Sequence, residues 1–164
     1  YRRQGVKLFY RNILLSTITS LGTCSSLASL PANISTCDKM KLPKDIKEVV
    51  LPIGATIHME GSSMASILKI AFLFSIFGRS FNGLTDILLA LLVAVLSGVV
   101  MSGIPGGGLI GEMLIVSLYG FPSSAFPIIA TIGWLVDSPA TALNVVGDIP
   151  STMLISKLVD NEST

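Results

Sequence analysis

Four polar residues near the end of the chain are spaced so that they could bind a charged solute together. Asp137, Thr141, Asn144 and Asp148 follow one another at intervals of four, three and four residues. Residues at these intervals lie on one face of an α-helix. Apolar residues surround them, and a polar face on a helix in lipid has to lie against protein or a water-filled cavity. The pattern therefore predicts a functional site on this face of the helix.

A second polar group interrupts an apolar stretch earlier in the chain. Residues 49–77 are mostly apolar but contain HMEGSS, with His58 and Glu60. Glu60 is nine residues from Lys69, about two and a half helical turns, so direct pairing along one helix is not expected. A carboxylate in such a stretch predicts a functional site. Glu112 also follows an apolar stretch, but it lies close to a Gly-rich segment where water could solvate it.

Two segments rich in Ser or Gly predict the tips of helical hairpins. Residues 12–37 carry no charge, yet they contain a Ser/Thr cluster around Ser25 and Ser26 where a lipid-spanning helix would use Leu, Ile or Val. The sequence SGIPGGG, residues 102–108, interrupts another uncharged segment, and Pro105 argues against a continuous helix there. Non-helical backbone at membrane depth is tolerated where protein or a water-filled cavity satisfies it. Both tips are therefore expected to line a cavity.

The composition favours a membrane protein. Charged residues make up 13% of the 164 residues, about half the usual share in soluble domains, and the mean hydropathy is +0.75. The net charge of +1 gives no case for a nucleic-acid partner. Cys24 and Cys37 form no CxxC pair, so neither a disulfide framework nor a zinc site is indicated.

The distribution of positive charge predicts a topology. Eight of the eleven Lys and Arg residues lie between Arg2 and Lys47, which places both ends of the Ser-rich segment on the cytoplasmic side. We therefore expect an all-α membrane protein with two re-entrant helical hairpins and two interrupted transmembrane helices in an inverted-repeat arrangement. The expected elements are the first hairpin tip region at 12–37, a broken helix at 48–78, the second hairpin at 84–119 and a final broken helix at 126–159.

These segments resemble the dicarboxylate/amino acid:cation symporter family. HMEGS is similar to the family's NMDGT signature, and TCSSLASLP and SGIPGGG resemble its two hairpin tips. DSPATALNVVGD resembles its last helix. The four motifs occur in the family's order and cover nearly all of the chain. The resemblance implies that residues 1–164 form a C-terminal transport core, with an N-terminal scaffold of six helices outside them.

The resemblance also implies roles in binding the substrate. Asp137 would hold the α-ammonium group with help from Thr141. Asn144 and the backbone near Ser26 would hold the α-carboxylate. The other substrate-binding residues that the resemblance implies are Ser25, Ser62, Ile104, Pro105, Gly108 and Ala140.

Sodium sites are implied in the same way. Asp148 would bind one ion with nearby backbone carbonyls, Glu60 would lie at a deeper site, and Thr56 would form a third with the backbone near residues 98–101. Such oxygen-rich, partly anionic cages suit a hard cation. The implied sodium ligands are Gly54, Thr56, His58, Met59, Glu60, Asn144 and Asp148.

Three positions depart from the family pattern. Ala140 stands where members for acidic substrates carry Arg, and without a guanidinium a side-chain carboxylate loses its bidentate partner. This departure favours neutral substrates. His58 replaces the usual Asn and Glu60 the usual Asp, and an imidazole beside a carboxylate could titrate, so a proton is an alternative coupling ion.

We therefore expect secondary active symport of a small amino acid, preferably a neutral one, or of a dicarboxylate. The expected driving force is a cation gradient, in particular a sodium gradient. Proton-coupled dicarboxylate symport is the alternative, followed by a passive channel. The chain lacks GxSxG and HExxH, so we expect neither an enzyme nor a cofactor. The expected partners are the solute, the lipid bilayer and further copies in a homotrimer of the full-length protein. The expected location is a bacterial plasma membrane, as a multi-pass protein.

Overall fold

The computed structural model describes residues 3–101 and 107–162. This part of the chain is helical and contains no β-strand, which confirms the all-α prediction. The helices are α1 Arg3–Asn12, α2 Leu14–Thr23, α3 Ser26–Lys39, α4 Lys44–Ile57, α5 Glu60–Ile76, α6 Leu84–Met101, α7 Gly107–Leu118 and α8 Ala125–Glu162.

The helices form two compact units. The first unit contains Tyr1–His58 and Thr141–Thr164, and the second unit contains Met59–Ala140. Helix α8 contributes its later residues to the first unit and its earlier residues to the second. Each unit has its own apolar core. Ile149 and Met153 of α8 belong to the core of the first unit, and Ala125 and Ile129 of the same helix belong to the core of the second.

In the first unit, α2 and α3 form an antiparallel helical hairpin. The Ser16 and Thr36 hydroxyls are 2.9 Å apart, and nearer the turn the Thr23 and Ser29 hydroxyls are 3.1 Å apart. Cys24 has a left-handed φ of 47° between the helices. A hairpin thus occupies the region expected for the first hairpin tip. Its re-entry into a membrane stays a prediction.

The backbone is interrupted between α4 and α5. His58 has φ −89° and ψ 82°, and the next residue, Met59, has φ −117° and ψ 38°. These values depart from helical geometry at two consecutive residues. The interruption lies inside HMEGSS and within the segment 48–78 that was expected to hold a broken helix.

In the second unit, α6 and α7 form another antiparallel pair. The Tyr119 hydroxyl just after α7 donates to the Asp86 carbonyl oxygen near the start of α6 at 3.0 Å. Phe74, Tyr119 and Phe121 make edge contacts in the core below this pair. The expected tip of this hairpin lies largely in residues 102–106, outside the described residues.

Helix α8 differs from its prediction. An interruption was expected within 126–159, but the structure has one continuous helix, Ala125–Glu162, that contains Pro139 and Pro150. A proline removes one hydrogen bond and bends a helix, and the bonds on either side can persist. Pro31 in α3 and Pro52 in α4 also lie inside helices. Proline alone therefore does not locate an interruption in this chain.

Among the described residues, two stretches are long and apolar enough to cross a membrane, Lys44–Ile76 and Ala125–Asp160. The apolar helices Leu84–Val100 and Gly107–Leu118 are shorter. The inverted-repeat arrangement of these segments stays a prediction.

Candidate functional site

A buried carboxylate in the first unit lies beside the helix interruption. Asp148 is 2% exposed, and its Oδ1 lies 2.9 Å from His58 Nδ1. Gly54, one turn before His58 in α4, approaches so closely that a Cβ at this position would overlap the Asp148 carboxylate. The structure therefore brings together Gly54, His58 and Asp148, three of the residues predicted as sodium ligands.

A hydrogen bond from α3 holds the later part of α8 within the first unit. Asn33 Nδ2 of α3 donates to the Val145 carbonyl oxygen at 2.8 Å. Within α8 itself, the Thr152 hydroxyl donates to the Asp148 carbonyl oxygen at 2.8 Å. Asn144, one turn before Asp148, is also buried. Sequence reasoning did not single out Asn33 as a positioning residue. An uncharged amide inside a Ser/Thr-rich helix was the one signal that could have found it.

The other predicted sodium ligands are divided between the two units. In the first unit, the Thr56 hydroxyl donates to the Ile53 carbonyl oxygen of its own helix at 2.8 Å. In the second unit, Met59 is buried and Glu60 is half-buried at the start of α5. Helix α6 approaches closely there, because a Cβ at Gly98 would lie 3.9 Å from the Met59 carbonyl oxygen.

Asp137 takes part in an ion-pair cluster that the sequence did not predict. Lys69 Nζ donates to Asp137 Oδ1 at 3.0 Å and to Glu112 Oε1 at 3.0 Å. The side chains of Lys69 and Glu112 are each 2% exposed, and that of Asp137 is 25% exposed. Glu112 is thus buried, and the expectation that water could solvate it is wrong. We call Lys69, Glu112 and Asp137 the charge cluster.

Gly133 makes room for the charge cluster. It precedes Asp137 by one turn in α8, and a Cβ at this position would overlap Glu112 Oε1 and lie 3.2 Å from Lys69 Nζ. A residue with a side chain there would have to displace the carboxylate. Sequence reasoning missed Gly133 because a glycine in an apolar helix gives no sign of what packs against it.

The remaining predicted substrate-binding residues occupy varied environments. Ser25 caps α3 by accepting a hydrogen bond from the Ala28 N–H at 3.2 Å, and Ser26 is the next residue. Ser62 is buried at the start of α5, with its hydroxyl 4.0 Å from Met59 Sδ. Of the others, Ala140 and Thr141 are buried and Gly108 is half-buried, whereas Ile104 and Pro105 lie outside the described residues.

The whole sequence was compared with known proteins. It matches the sodium:dicarboxylate symporter family over residues 2–158. The chain belongs to this family. Membership confirms the family that the resemblance of the motifs indicated.

Relatives in the sodium:dicarboxylate symporter family include transporters of two kinds. The chain is 33% identical over 141 residues to human excitatory amino acid transporter 2, covering 85% of the chain and 24% of that protein. It is 32% identical over 161 residues to rat neutral amino acid transporter B(0), covering 98% of the chain and 29% of that protein. It is 30% identical over 149 residues to human neutral amino acid transporter A, covering 90% of the chain and 28% of that protein. The chain thus spans less than a third of the length of each.

Proposed function

We propose that this chain is the substrate- and cation-binding core of a longer symporter that moves a small amino acid together with sodium. Family membership supports the transport class, and the names of the relatives support an amino acid as the solute. The observation that carries the cation part is the buried carboxylate of Asp148 beside the helix interruption. A buried charge in an apolar helix is unfavourable unless a counter-charge or bound ion compensates it.

The cation would bind in the first unit at Asp148. Gly54, near the end of α4, has no side chain, so the Asp148 carboxylate approaches the backbone at this end of the helix closely. Carbonyl and carboxylate oxygens are the ligands of hard cations such as sodium. His58 Nδ1 contacts Asp148 Oδ1, so the imidazole and a bound ion would both help to compensate the buried carboxylate.

The ammonium group of the substrate would bind in the second unit at Asp137. This side chain is 25% exposed, whereas the nearby Glu112 is fully buried. Ala140, three residues later, presents no guanidinium for a second carboxylate. The combination supports a solute with one ammonium group and an uncharged side chain, such as serine or alanine.

One observation favours a second candidate, proton-coupled symport of a dicarboxylate. The Lys69 ammonium is already bound to Asp137, so a solute that lacks an ammonium group would leave this pair in place. His58, whose imidazole contacts the buried Asp148 carboxylate, would then be the candidate proton carrier.

The test is uptake by the full-length product of the gene in proteoliposomes. Labelled serine, alanine, aspartate and succinate are offered with an inward sodium gradient, an inward proton gradient or neither. We expect sodium-driven uptake of serine and alanine, and serine affinity that rises with sodium concentration because coupling between sites is reciprocal. Proton-driven succinate uptake would establish the second candidate. Uptake that follows no gradient would contradict both.

We further propose that the hairpins at 12–37 and 84–119 re-enter the membrane and that the segments at 48–78 and 126–159 cross it. An N-terminal scaffold of six helices would complete the protein and mediate a homotrimer. Crosslinking of the full-length protein in membranes tests the trimer. Crosslinking that yields only the monomer would count against it.

A further inference from the structure

The charge cluster contains two carboxylates in different environments. Lys69 Nζ donates to Glu112 Oε1 and to Asp137 Oδ1, each at 3.0 Å. The Glu112 side chain is 2% exposed, whereas the Asp137 side chain is 25% exposed. Asp137 is therefore partly accessible to a solute, whereas Glu112 is not.

Glu112 has an oxygen that the ion pairs do not use. Oε2 is buried, and within the described part of the chain it has no hydrogen-bond partner. An ammonium group has three N–H donors, and Lys69 uses two of them in the cluster. Rotation of the Lys69 side chain would bring a donor to Oε2 and release Asp137. The cluster thus already holds an acceptor for the ammonium that Asp137 would give up.

We propose that Lys69 is a tethered counter-ion that the ammonium group of the solute displaces from Asp137 onto Glu112. This inference rests on the proposed function, in which Asp137 accepts that ammonium group. Before binding, Lys69 neutralises Asp137. After binding, the solute ammonium pairs with Asp137, and Glu112 retains Lys69. Each ammonium has a carboxylate partner throughout, so displacement strands no buried charge.

The charge balance favours a cationic group as the incoming ligand. With all three side chains ionised, the cluster has one negative charge in excess. A solute ammonium cancels this charge. A solute without an ammonium group gains nothing by displacing Lys69 and would instead meet the excess negative charge. Lys69 therefore acts as a specificity-determining residue.

The space beside Gly133 in α8 keeps Glu112 of α7 next to Lys69. Gly133 has no side chain and so admits the Glu112 carboxylate one turn before Asp137. The two carboxylates consequently flank a single Lys69 side chain, and its ammonium does not have to cross apolar surface to exchange between them.

Two variants of the full-length protein test the exchange, with the apparent KM for labelled L-serine as the readout. In Glu112→Gln, Lys69 loses its second carboxylate partner. A solute bound at Asp137 would then leave the buried Lys69 ammonium without a negative charge beside it. We expect the apparent KM to rise about tenfold or more. The double variant Lys69→Met/Glu112→Gln removes the stranded ammonium and keeps the same net charge as the wild type. We expect its KM to return to the wild-type value or below.

Comparing the single and double variants shows whether Glu112 receives Lys69 on solute binding or only stabilises the fold. A purely structural loss in Glu112→Gln would not be rescued by also removing Lys69, so a double variant as weak as the single one overturns the proposal. An unchanged KM in Glu112→Gln overturns it as well. A wild type that takes up succinate but not serine shows that the proposed function has failed, and the exchange proposal falls with it.

A matched control is the ion pair between Lys47 and Asp38 in the first unit. The variant Asp38→Asn also takes a carboxylate from a buried lysine, because Lys47 is 7% exposed. We expect no change in the KM for serine in this control. A rise equal to that in Glu112→Gln would show that the effect is general destabilisation and would overturn the proposal.

Discussion

His58 Nδ1 lies 2.9 Å from Asp148 Oδ1 although ninety residues separate them in the sequence. The contact joins the residue that follows α4, at the helix interruption, to a carboxylate within α8. Asp148 is 2% exposed, and the imidazole is one group of the first unit that can compensate its charge. A bound sodium ion would be another, which makes this contact a place where sodium can be detected.

Replacing His58 should make sodium more important for stability. In His58→Leu the buried carboxylate loses a hydrogen-bond partner, a loss of about 1–3 kcal/mol, and sodium can replace that partner. We therefore expect a lower Tm without sodium and a larger rise in Tm on adding sodium than in the wild type. The measurement is thermal unfolding of the full-length protein in detergent, in sodium chloride and in choline chloride.

The matched variant is His58→Asn, whose amide N–H can still donate to Asp148. It should behave like the wild type in both salts. An equal sodium-dependent rise in Tm in His58→Leu and in the wild type would mean that sodium binds away from Asp148.

A side chain at Gly54 should disturb the same carboxylate. In Gly54→Ala the new Cβ would overlap Asp148 Oδ1, so the carboxylate or the helix has to move. Overpacking of this kind typically destabilises by about 1–3 kcal/mol. We expect a lower Tm and a smaller sodium-dependent rise in Tm, measured as for His58.

Gly22→Ala is the control for Gly54→Ala. Gly22 lies in α2, and a Cβ there would have no neighbouring heavy atom within 4 Å. Alanine is favoured over glycine in a helix by up to about 1 kcal/mol, so this variant should be as stable as the wild type or slightly more stable. If both variants lose stability equally, the space beside Gly54 is not what matters.

Local signals in the sequence were sufficient to predict the hairpin turn and the helix interruption. Ser25 caps α3 through its hydroxyl and lies in the Ser/Thr cluster that predicted a hairpin tip. HMEGSS breaks an apolar stretch, and the backbone leaves helical geometry at His58 and Met59. In both places the residues that determine the backbone are adjacent in the sequence, so no knowledge of the tertiary structure was needed.

The charge cluster could not be predicted in this way. Lys69 is 43 residues from Glu112 and 68 from Asp137, and their meeting depends on how α5, α7 and α8 pack. Sequence reasoning compared Lys69 with Glu60 on the same helix and expected no direct pairing, but it could not supply the actual partners. The interruption expected within 126–159 is absent for a related reason, since the hydrogen bond lost at Pro139 does not decide whether a packed helix ends.

The exposure of the two cysteines offers a test of the first hairpin tip. Cys24 is exposed at the turn between α2 and α3, and Cys37 is buried near the end of α3. If the tip lines a water-filled cavity, a charged thiosulfonate should modify Cys24, and saturating serine with sodium should slow the reaction. Cys37 should not react in the folded protein. The measurement uses full-length variants that each retain one of these cysteines and no other.

Two results would contradict a cavity-lining tip. A Cys24 that does not react would place the tip in lipid or against protein. A Cys24 that reacts at the same rate with and without serine and sodium would place it in water away from the binding site.

Introducing a guanidinium at Ala140 should shift the preference of the transporter toward acidic solutes. Ala140 is 5% exposed and lies three residues after Asp137 in α8. In Ala140→Arg the guanidinium can bind a side-chain carboxylate through two parallel hydrogen bonds, which a neutral residue cannot do. We expect the ratio of kcat/KM for aspartate to that for serine to rise about tenfold or more, as for one charged hydrogen bond. Ala140→Met controls for the added length and should lower uptake of both solutes without changing their ratio. A ratio that stays constant in Ala140→Arg while uptake persists would mean that the side chain of the solute is recognised elsewhere.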